Sequence, residues 1–114
     1  MITCDLDHQL NALIIAGKSV EALRTLYAED VVAQENDEPE RVGRDAWIQA
    51  RQTMETNIKR FHARVIAHAA HGDTTFSEWE YNLEIEGMGP LKMNQVAVRR
   101  WRDGLVVRER FYHE

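Results

Sequence analysis

Glu35 and Arg99 are the side chains in this sequence best suited to acid/base chemistry. Glu35 ends the apolar run Val31-Val32-Ala33-Gln34, so a short strand delivers its carboxyl at the last position. Pointed into an apolar cavity, that carboxyl would hold its proton more tightly through desolvation, which suits a general base. Glu35 equally opens the acidic stretch Glu35-Asn36-Asp37-Glu38, where it would face water. Arg99 and Glu109 lie in two long apolar-rich runs joined by Asp103-Gly104. As a buried pair they would anchor an anionic or carbonyl-bearing ligand, or act as a structural ion pair at a cavity mouth.

A second group would supply walls. Trp79, Tyr81 and Leu83 alternate with Glu78, Glu80, Asn82 and Glu84, so one strand face is aromatic and the other polar. Such a stripe serves either as plain core or as cavity lining, and Trp47 and Trp101 carry the same two readings. The Tyr81 phenol has a proton to donate to a ligand. Gln95, Phe111 and His113 reach the same face by alternation, though His113 is penultimate in the sequence.

Metal chemistry is not expected. His62 and His68 share strand parity but stand too far apart to ligate one ion, and His71 has the other parity. Cys4 has no evident histidine partner and reads as an inert helix residue. No glycine loop for phosphate and no nucleophile elbow is present, so no cofactor is expected.

The elements that must position these groups follow from the pattern. Leu6, Leu10, Leu13 and Ile14 recur at helical spacing up to Gly17, and Ser19 can cap a second helix burying Val20, Leu23, Leu26 and Tyr27. Asn36–Arg41 reads as an exposed loop. Gly43 leads into a third helix with Ala46, Ala50, Met54 and Ile58 on one face. From Phe61 onward the chain is extended: Phe61–His71, Thr74–Glu86, Met88–Arg102 and Leu105–His113. Long strands twist, so a sheet built from them curves and needs cover on its hollow side. Helices first and strands after predict an α+β fold, a cone-shaped curved antiparallel sheet with three helices across its concave face.

The Asp103-Gly104 turn allows two registers. A two-residue loop pairs Arg102 with Leu105 and sets Arg99 against Arg108; a three-residue loop pairs Trp101 with Leu105 and Arg99 with Val107. Like charges opposed are unfavourable, which favours the second. Gln95, Ala97, Arg99 and Trp101 then share a face with Val107, Glu109, Phe111 and His113, and Arg99 is diagonal to Glu109. Val96 and Val98 face away, where a second copy would cover them.

Composition bounds the rest. With 114 residues and no linker or repeat, one domain over residues 1–114 is expected. A net charge of −5 argues against nucleic acid, and the arginines near the end split between two faces. The one cysteine rules out an internal disulfide and suits the cytoplasm. Met1–Leu10 carries Asp5 and Asp7 and has no leader pattern, and no apolar run reaches membrane-spanning length.

Taken in order, Leu23–Val32, then Val42-Gly43-Arg44-Asp45-Ala46-Trp47, then Trp101-Arg102-Asp103-Gly104 resemble the SnoaL-like branch of the nuclear-transport-factor-2-like superfamily. The resemblance spans nearly the whole chain and implies a cone fold that hosts isomerases, dehydratases, cyclases, epoxide hydrolases and binding domains. The superfamily's steroid isomerases use a carboxylate base with a tyrosine and a protonated aspartic acid as donors. Their pattern puts Glu35 at the base position, but Leu10 and Ala97 at the donor positions, where neither can donate. A standard steroid isomerase is therefore not expected. The resemblance implies one pocket for a small apolar organic ligand, with Glu35 as base and Arg99 stabilising an oxyanion. A ligand-binding protein and a dimerisation domain with a vestigial pocket are the other classes. The family commonly pairs sheets, so a homodimer is expected.

Overall fold

The computed structural model describes residues 3–114. Met1 and Ile2, the first residues of the segment on which the leader expectation falls, lie outside the described residues. The first three elements are α1 (Thr3–Ile15), α2 (Ser19–Leu26) and β1 (Tyr27–Glu35). A two-residue strand β2 (Arg41–Val42) and the helix α3 (Arg44–Glu55) follow. The second half is β3 (Ile58–His71), β4 (Thr74–Ile85), β5 (Gly89–Arg102) and β6 (Leu105–His113). The six strands form one sheet in the order β2-β1-β6-β5-β4-β3. The four long strands make the antiparallel meander, while β1 runs parallel to β6, so the sheet is mixed. No helix among the described residues is long and apolar enough to cross a membrane.

The concave side is covered unevenly. Leu10 of α1, Leu23 of α2, Val31 of β1 and Trp101 and Val106 of the last hairpin close one end as the main core. Each such buried side chain contributes roughly 1.5–3 kcal/mol. Trp79 packs with Ala63, Ala97 and Phe111 in a second, smaller cluster at mid-sheet. Beyond it, α3 stands off the sheet and leaves a cavity.

Three local expectations are corrected. Tyr27 is the first residue of β1, not the last turn of a helix, and it is buried there. Lys18, not Ser19, occupies the N-cap of α2, and no side chain caps it. On α3 the residue that enters the core is Ile48; Ala46, Ala50 and Met54 are exposed and Ile58 has already joined β3. The four-residue spacing there marks the face that overlooks the cavity, since Ala50, Met54 and Ile58 line it.

The closing hairpin resolves the register differently from both alternatives. Asp103 and Gly104 both have positive φ, 54° and 80°, as the two-residue turn matching strand twist requires. Arg102 therefore pairs with Leu105 and Trp101 with Val106, not with Leu105 as expected. A bulge then leaves Val107 unpaired, so Arg100 opposes Arg108 and Arg99 directly opposes Glu109. The expected Arg99–Val107 pairing is wrong, and Val106 takes the buried place given to Val107. The physical reason is charge. Arg99 is 1 % exposed and needs a carboxylate, whereas Arg100 and Arg108 sit outside, where Glu40 pairs with Arg108.

Candidate functional site

A cavity of about 280 Å³ opens between α3, the α1–α2 connection and the uncovered end of the sheet. Its apolar wall includes Leu23, Trp47, Phe61, Leu83, Met93 and Phe111. Trp47 and Phe111 are parallel, offset-stacked rings with centroids 5.9 Å apart, and together they form one continuous aromatic wall. The polar lining comes from Tyr27, Glu35, Tyr81, Gln95, Arg99 and Glu109, with Arg41 and Arg51 towards the outside.

The inner wall is a buried polar network. Arg99 Nε donates to Glu109 Oε2 at 2.6 Å, and Nη1 donates to Asp7 Oδ1 at 2.9 Å and to Asn11 Oδ1 at 2.7 Å. Tyr27 donates its hydroxyl proton to the other Glu109 oxygen at 2.7 Å. Asn11 donates to Ser77, Ser77 donates to Asp7 Oδ2, and His68 Nε2 lies 2.8 Å from that same oxygen. Both Glu109 oxygens and both Asp7 oxygens are thus taken, as buried charges require. Burial opposes the Arg99 charge, but Tyr27, Glu109 and Asp7 together hold its pKa above the ordinary arginine value. Burial likewise opposes ionisation of Asp7, but Arg99, with hydrogen bonds from His68 and Thr75, keeps its carboxyl below 3.8. Burial, reinforced by the Glu109 charge, pushes the Tyr27 phenol well above 10, so it remains a donor.

Two other groups in the cavity are chemically freer. Glu35 sits at the end of β1, opposite Phe111, with its side chain 37 % exposed. Among the described residues its carboxyl makes no hydrogen bond; His113 Nε2, 3.6 Å from Oε1, is an ion-pair partner only when that imidazole is protonated. Tyr81 stacks on Trp79, with centroids 5.3 Å apart. Burial pushes its phenol up to about 12, so it faces the cavity as a neutral proton donor.

Glu35, Arg99, Trp47, Tyr81, Gln95, Glu109 and Phe111 are therefore brought to one cavity. Trp79, Trp101 and His113 are not among its lining. Trp79 is fully buried under the second cluster, and Trp101 lies in the main core and donates to Thr75 at 3.0 Å. Sequence reasoning missed Asp7, Asn11 and Tyr27. Asp7, Leu10, Asn11 and Ile14 stand at intervals of three, one and three residues, the inward face of α1, a face that apolar spacing alone does not mark because two of its members are polar.

A curved α+β sheet with helices across its hollow and a lined cavity beside α3 defines the class of protein. The chain belongs to the SnoaL-like domain family, whose model matches residues 9–109. A comparison with curated proteins finds no match. Among solved structures, a Mesorhizobium loti protein assigned as a SnoaL-like polyketide cyclase superposes with a TM-score of 0.82 at 19% identity, covering 98% of this chain and 99% of its own. IdmH of Streptomyces antibioticus, also assigned as a polyketide cyclase, gives 0.81 at 23% identity, with 100% and 93% covered. An LEH-like epoxide hydrolase of M. tuberculosis gives 0.80 at 17% identity, with 98% and 82% covered. At these identities the likeness is one of fold.

Proposed function

We propose that this protein is a cofactor-independent acid/base enzyme, an isomerase, cyclase or dehydratase, acting beside the carbonyl of a small apolar organic substrate. Glu35 is the general base, the buried Arg99 supplies fixed positive charge behind the cavity wall, and Tyr81 donates to the developing oxyanion. The observation that carries the reading is a division of labour between two carboxylates. Glu109 has both oxygens engaged by Arg99 and Tyr27, whereas Glu35 is the cavity carboxylate whose oxygens make no hydrogen bond among the described residues. A base must have a free lone pair. The polyketide cyclase assignments of two fold neighbours agree in reaction type with carbonyl chemistry. A volume near 280 Å³ falls just below the usual range of about 300–1,000 Å³, so the substrate is compact. The proposed setting is the cytoplasm and the working unit a homodimer.

The test is exchange of carbonyl-adjacent protons, followed by NMR in D₂O with a panel of cyclic and aryl ketones. The expected result is exchange above the buffer rate with at least one ketone, reduced about 10²–10⁴-fold by Glu35→Gln while Trp47 fluorescence still reports binding. Binding without exchange would make the protein a carrier, and exchange undiminished in Glu35→Gln would remove the base.

A further inference from the structure

Outside the cavity lining, between α1 and β3, three donors converge. Cys4 and His8 are one helical turn apart, with Sγ 3.5 Å from His8 Nε2. His68 of β3 stacks on His8, with ring centroids 4.3 Å apart. The donor atoms of Cys4, His8 and His68 all lie within 4.8 Å of one another. The expectation that Cys4 lacks a histidine partner is therefore corrected: the helix supplies one and the sheet supplies another. His62 and His71, weighed with His68 in the sequence, are not part of the cluster.

We propose that Cys4, His8 and His68 form a binding site for a zinc ion, separate from the cavity. The donor set is one thiolate and two imidazoles, the combination that zinc favours. Zinc–sulfur and zinc–nitrogen bonds of about 2.3 and 2.0 Å at a tetrahedral centre place two ligand atoms about 3.5 Å apart. The Cys4–His8 separation already has that value. His68 arrives oriented: its Nε2 lies 2.8 Å from Asp7 Oδ2, and with that nitrogen as the donor its Nδ1 carries the lone pair for the ion. A carboxylate gripping the far nitrogen of a histidine is the arrangement that steadies metal-bound imidazoles. The ion replaces the proton shared between Cys4 and His8, and that thiol proton passes to solvent as the zinc–sulfur bond forms. His8 is exposed, so the fourth position is open to water and ions can exchange.

The full chain should take up one Zn²⁺ in competition with a chromophoric chelator, and Co²⁺ should give a thiolate-to-metal charge-transfer band. Cys4→Ser should abolish that band, and His8→Ala, an exposed change, should weaken Zn²⁺ binding at least ~10-fold with the circular dichroism unchanged. Three results would overturn the site: no Zn²⁺ uptake against the chelator, uptake that both variants leave intact, or one ion shared between two chains.

Discussion

Arg99 shows how one residue can serve both fold and site. Its guanidinium ties α1 to β6 through Asp7 and Asn11 on one side and Glu109 on the other, while its edge lines the cavity. Removing the cation leaves two buried carboxylates facing each other's field. Arg99→Met should therefore cost about 3–5 kcal/mol, read as a lower urea midpoint with a similar slope. A variant within 1 kcal/mol of the parent would show that water replaces the guanidinium. Asp7 adds a pH dependence of definite sign. Its native carboxyl titrates below the ordinary 3.8, so the folded chain binds fewer protons than the unfolded one in the acid range. That contribution is complete above 3.8 and disappears as the pH falls through the lower native value. Asp7→Asn should lose stability at neutral pH and show a flatter acid limb in urea titrations taken from about pH 6 to about pH 2.

At the scale of elements, the sequence was most legible where local chemistry and global fold agree. The four long strands and their turns could be read from alternation and from Gly72, Gly87 and Gly104, and the helices from their apolar spacing. The face that carries Gln95, Arg99, Glu109 and Phe111 could be read too. What alternation could not reveal was the bulge at Val107, because a bulge is chosen by what its displaced neighbours meet across the sheet. Nor could apolar spacing reveal the inward face of α1, since Asp7 and Asn11 count as polar until Arg99, Ser77 and His68 are opposite them. The bulge makes a sharp prediction. Because Val107 is the extra, unpaired residue, deleting it makes the hairpin regular and leaves Arg100 opposite Arg108 and Arg99 opposite Glu109. The deletion should keep a cooperative urea transition at a cost of about 1–3 kcal/mol, and loss of cooperative unfolding would contradict it.

The whole molecule presents two faces with different obligations. Helices and cavity occupy the concave side; among the described residues no helix covers the convex side. There Val98 lies between Phe76 and Arg110, and Val96 between Glu78 and Tyr112, with Phe76 38 % and Tyr112 44 % exposed. This apolar centre carries a cation on one side and a carboxylate on the other, so a two-fold mate can meet it with matching area and opposite charge. A stable pair typically covers about 800 Å² per partner, at about 25 cal/mol for each apolar Å². Because the cavity opens on the other side, such pairing leaves ligand access free, and binding should not depend on assembly. Sedimentation at micromolar concentration should give a species of twice the chain's 13.2 kDa. Val98→Lys should shift it to the single-chain mass while Trp47 still reports ligand binding, because a lysine at the centre of the patch puts two like charges across the axis. A single-chain mass for the parent protein would mean that this face remains in water.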